Sequence, residues 1–167
     1  MTRTNREAER ALIGPCLISG EVASQVAERV TAQDFDDMQC RHMFNAIKVL
    51  LAAGVSIDIV TLSEELTKCD KLQEAGGAAG ISDLIRETPT SYNFESYIDI
   101  VIDNAIRRDV HQAAARIADA SRLAKTADEA LAEAERAVSS ISRVRSKGKF
   151  SDMDSVMAET MDRLINM

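Results

Sequence analysis

Few side chains in this sequence could hold a metal, move a proton or attack a substrate: two histidines, three cysteines and scattered acidic pairs. Cys40 and His42 stand two apart in a helical stretch, a spacing that turns them to different sides, so they cannot jointly hold a metal ion without a further element. Neither a Cys-x-x-Cys nor a His-x-x-x-His spacing exists. His42 and His111 each read as ordinary half-buried or surface residues. Asp36-Asp37 and Glu64-Glu65 are neighbours in sequence and read as solvated faces, not as acid and base across a cleft. A phosphate-cradling loop needs G-x-x-x-x-G-K-[ST]. Here Gly148-Lys149 is followed by Phe150, and Arg143 stands where the first glycine belongs. Gly76-Gly77-Ala78-Ala79-Gly80 suits a turn between helices. The chain therefore reads as a non-enzyme, with no catalytic, metal-binding or nucleotide-binding residues and no cofactor of its own.

What remains is the framework. With 167 residues and 46% apolar content the chain can bury a sizeable core. The net charge of −7 disfavours general nucleic-acid binding, which depends on neutralising phosphates. No apolar run approaches the roughly 18 residues of a membrane span. The N-terminus leads into a charged helical pattern, not a signal peptide, and an odd cysteine count suits a reducing cytosol, so a cytoplasmic location is expected. Two prolines and seven glycines provide little punctuation. Twelve of the 24 alanines fall between Ala105 and Ala137, and period-2 alternation is absent. The fold class is all-α.

Apolar spacing and capping residues predict helices over about 5–18, 21–29, 38–53 (closed by Gly54) and 60–68, and a short one that Gly76-Gly77 precede and that ends near Arg86. Thr4 with Glu7, Thr61 with Glu64 and Thr126 with Glu129 have capping-box spacing. Pro15 should bend the first helix or remove one of its bonds. Thr88-Pro89-Thr90 forces a break, so residues 1–92 form a helical head. Residues 93–145 read as an αα-hairpin of two long helices, 93–123 and 127–144. Tyr97, Ile98, Val101 and Ala105 form the inner side of the first, and Leu131, Ala134, Val138 and Ile141 a coiled-coil-like seam on the second. Such narrow faces need cover, either from another chain or from the head.

Residues 146–167 form a basic linker and a last helix. Arg143, Arg145, Lys147 and Lys149 make a solvated stretch or a short phosphate-contacting patch. Met153, Val156, Met157, Met161, Leu164 and Ile165 follow as an amphipathic stripe. It reads as a helix that grips another subunit or domain, the alternative being its own domain.

Several stretches resemble one family. Glu7-Ala8-Glu9-Arg10-Ala11-Leu12-Ile13-Gly14, Asp34-Phe35 with Arg41-His42-Met43-Phe44-Asn45-Ala46-Ile47, and Ile57-Asp58-Ile59-Val60-Thr61-Leu62-Ser63-Glu64-Glu65-Leu66 are similar, in order, to the N-terminal domain of DnaB-type replicative DNA helicases. Leu72, Gly76-Gly77, Leu84, Thr88-Pro89-Thr90, Asn93 and Tyr97 to Val101 continue the order, and Arg107-Arg108 fall where the family carries a basic pair. The resemblance covers about 7–141. Pro15 departs from it.

The resemblance implies a helical head and hairpin that assemble as homodimers, arranged as a trimer of dimers in a hexamer. It implies docking of the C-terminal domain of primase, and a linker helix that binds the neighbouring subunit's motor domain. DNA would be engaged only through that hexamer, with no membrane partner. ATP and magnesium would belong to a motor that this chain lacks. An alternative is a free-standing adaptor or inhibitor that enters another helicase's collar.

Overall fold

The computed structural model describes residues 3–88 and 93–141, with side chains from Arg6 onward. These residues are helical with no strand among them. The helices are α1 (Arg3–Ile18), α2 (Gly20–Arg29), α3 (Met38–Ala52), α4 (Ile59–Lys68), α5 (Gly77–Glu87) and α6 (Phe94–Leu123), with a 3₁₀ turn at Ala32–Asp34. A further helix, α7, covers 127–141 of the described residues. The basic run from Arg143 and the stripe from Met153 to Ile165 lie outside them.

The chain divides into two compact units, Met1–Ala105 and Ile106–Met167. In the first, α1 packs on α2, α3 and α5, while α4 packs on α3 and α5. Its core centres on Leu12, Ile13, Phe35, Phe44, Ile47 and Leu62, all fully buried. Phe35 and Phe44 meet with ring centroids 5.0 Å apart and planes tilted by 44°, which satisfies both ring quadrupoles better than a face-to-face sandwich.

Caps set where these helices begin and end. Ser19 caps α2, its Oγ accepting the Val22 N–H. Asp37 caps α3, its carboxylate accepting the Gln39 N–H at 2.9 Å. Gly54, at φ 66°, closes α3. Its N–H reaches the Leu51 carbonyl and that of Val55 reaches Leu50, so two otherwise orphaned carbonyls are paired. Asp70, at φ 55°, closes α4 in the same way, with Lys71 N–H on the Leu66 carbonyl. An aspartate tolerates this left-handed geometry better than most non-glycine residues.

Three capping expectations need correction. Arg3, the first described residue, is already helical, which puts Thr4 inside α1. The cap of α4 is Asp58, whose carboxylate accepts the N–H groups of Val60 and Thr61 at 2.8 and 2.9 Å, while the Thr61 hydroxyl accepts the Asp58 N–H at 3.0 Å. Thr61 is thus the returning partner of a cap, not the cap. Those bonds favour the charged form, so the Asp58 carboxyl is held below its ordinary value. Thr126 does accept the Glu129 N–H, but the Glu129 carboxylate returns to the N–H of Lys125, one residue earlier than a capping box places it. Pro15 lies in the last turn of α1, which continues to Ile18; the missing N–H denies the Ala11 carbonyl its usual partner.

Candidate protein–protein interface

The head is held by polar contacts that sequence spacing does not reveal. Glu9 is fully buried, and its two oxygens accept the N–H groups of Asp36 and Asp37 at 2.9 and 2.8 Å. Asp37 is itself only 7% exposed and pairs with Arg6 at 2.6 Å. Its reading as part of a solvated face is therefore wrong: Asp37 is committed to the α1–α3 junction. Arg41 donates from Nε and Nη2 to the single carbonyl of Phe35, at 3.1 and 2.7 Å. His42 is half-buried, with Nε2 3.0 Å from a Glu74 carboxylate oxygen. Lys71 also pairs with Glu74, and chiefly that bond holds the Glu74 carboxyl below its ordinary value. Among the described residues, no cluster of three His, Cys, Asp or Glu side chains could hold a metal ion.

A shallow groove of about 400 Å³ runs along α1 beside Leu84, Tyr97 and Ile100. The Arg10–Glu87 pair, 2.7 Å apart, lines it. Arg10 and Glu87 are matched to each other there, and Glu7 lines the groove beside them.

The residues expected to form an assembly seam separate into two groups. Ile98, Val101 and Ala105 are 1%, 0% and 3% exposed. Ile98 and Val101 belong to the head core, and Tyr97 packs against it. The first turns of α6 are therefore part of the head; Ile98, Val101 and Ala105 offer no surface to a second chain, whereas Tyr97 is half-buried and lines the groove along α1. An apolar helix face needs cover, and here the head supplies it.

The second unit presents the other group. Arg116 on α6 and Glu133 on α7 form an ion pair across the hairpin. In an antiparallel pairing with Arg116 beside Glu133, the buried Ala113 lies about level with the buried Ala137. Small side chains at this level let two helices approach closely. Arg136 also pairs with Glu133, at 2.6 Å. The Arg116 hydrogen bond first, and the charges of both arginines after it, hold the Glu133 carboxyl below its ordinary value.

At 3.6 residues per turn, Ala130, Ala134, Ala137 and Ile141 centre on the side facing α6, and Leu131 and Val138 point about 90° and about 70° to one side of that centre. Ala134 and Ile141 are half-buried, whereas Leu131 is 60% and Val138 55% exposed. In an antiparallel pair equal rotations from the inward line fall on the same side. Arg116 and Glu133 occupy one such side. Val110, about 60° round from Ala113, shares the other with Leu131 and Val138. Val110 is 50% exposed and was not anticipated; its place three residues before Ala113 was the available signal. The hairpin thus has a charged edge that is internally paired and an apolar edge that is not covered within the described residues. A Leu or Val side chain buried there would contribute about 1.5–3 kcal/mol.

Comparison with known proteins agrees with this architecture. Residues 1–103 match the family model described as DnaB-like helicase N terminal domain. The chain is 29% identical to the replicative DNA helicase DnaC of Bacillus subtilis, over 96% of this chain and 36% of that protein. It is 36% identical to the replicative DNA helicase DnaB of Haemophilus influenzae, over 83% of this chain and 30% of that protein. It thus spans about a third of these relatives' length. Among solved structures, it is similar to the N-terminal domain of DnaB helicase from Mycobacterium tuberculosis. The TM-score is 0.72 at 28% identity, covering 80% of this chain and 94% of that one.

Proposed function

Because the chain belongs to the DnaB-like helicase N-terminal domain family, we propose that it is a non-catalytic collar module of a replicative DNA helicase, assembling subunits through its hairpin. One observation carries this reading: Leu131 and Val138 stand more than half exposed on the edge away from the Arg116–Glu133 pair. Two such edges from two copies would cover one another, as exposed apolar side chains at seven-residue spacing do in coiled coils. Docking of primase belongs to the same reading. So does docking of the stripe from Met153 to Ile165 on a neighbouring motor domain, with ATP and magnesium serving that motor and not this chain.

Sedimentation or light scattering of the chain carrying Leu131→Glu and Val138→Glu tests the assembly step. The expected result is a shift toward monomer with helicity and melting temperature little changed, since both positions are exposed. An unchanged mass distribution would remove the hairpin edge as the interface. Titration with a primase C-terminal domain tests the second step, and absence of binding to the assembled chain would withdraw it.

A further inference from the structure

We draw no further inference here: the strongest candidate, the apolar patch of Val49, Val55, Ile59 and Val60 around the turn from α3 to α4, is an exposed face for which nothing in the structure shows what covers it.

Discussion

A Cβ placed on Gly14 would lie 1.9 Å from the Oγ1 of Thr88 and 3.0 Å from its Cβ. α1 and the end of α5 therefore meet at a point that admits only glycine. The Thr88 hydroxyl is fixed there by donating to the Leu84 carbonyl at 2.9 Å. Gly14→Ala is expected to destabilise the head by about 1–3 kcal/mol, the usual range for overpacking a tight contact. Thr88→Ala in the same chain should recover part of that loss, because the oxygen is the nearer clash. Urea denaturation of the two single variants and the double variant measures the coupling. Additive effects would mean that the two side chains do not meet.

Glu9 is expected to be the costliest polar residue of the head to replace. Its carboxylate satisfies two backbone N–H groups, one of them buried, where the chain enters α3. Glu9→Gln keeps one acceptor oxygen but turns an amide donor toward an N–H, leaving a buried group unpaired. A loss of about 2–4 kcal/mol follows for removing a charged acceptor from buried donors. Chemical denaturation followed by circular dichroism gives the figure, and a loss well below 1 kcal/mol would contradict this role.

Acid should weaken the hairpin through Glu133. A carboxyl whose folded pKa is depressed contributes stability above its unfolded value and loses it as pH falls through the lowered folded value. With an ordinary value of 4.5 and a downward shift caused first by Arg116, the loss sets in as pH drops below that value. Hydrogen exchange along 130–141 at falling pH reports it. Glu133→Gln should exchange faster at neutral pH and show a shallower acid dependence. If the variant follows the parent at every pH, the pair contributes nothing.

The three thiols should divide one to two. Cys69 is exposed, whereas Cys16 and Cys40 are buried in the core. Burial pushes the Cys16 thiol up to about 12 and raises that of Cys40 as well, so neither yields thiolate at mildly alkaline pH. A maleimide is expected to add once per native chain and three times after denaturation, read as intact mass. Rapid labelling of all three in the native chain would show that the core opens on the labelling time scale.

The helices were largely legible because a 3.6-residue apolar period, a capping oxygen and a closing glycine are local properties of a chain. α3 illustrates this: Met43, Phe44, Ile47 and Leu50 name its buried side, and Gly54 ends it where the spacing stops. The family motifs were legible too, and the structure gives their reason. Glu9, Phe35, Phe44 and Asp58 are caps and core of the head, so the motifs that hold them report its fold.

Three things were decided only when distant segments came together. Periodicity marks Ile98 and Val101 as apolar-facing without saying that the head, not a second chain, covers them. It puts Leu131 and Val138 in one seam with Ala134 and Ile141, yet the first two are more than half exposed and the others half-buried. It shows Asp37 beside Asp36 as two surface acids, although Glu9 and Arg6 draw Asp37 into the α1–α3 junction. A one-dimensional pattern records that a side chain requires shelter or a partner; the tertiary packing determines which neighbour provides it, because burial depends on distances between residues far apart in the chain.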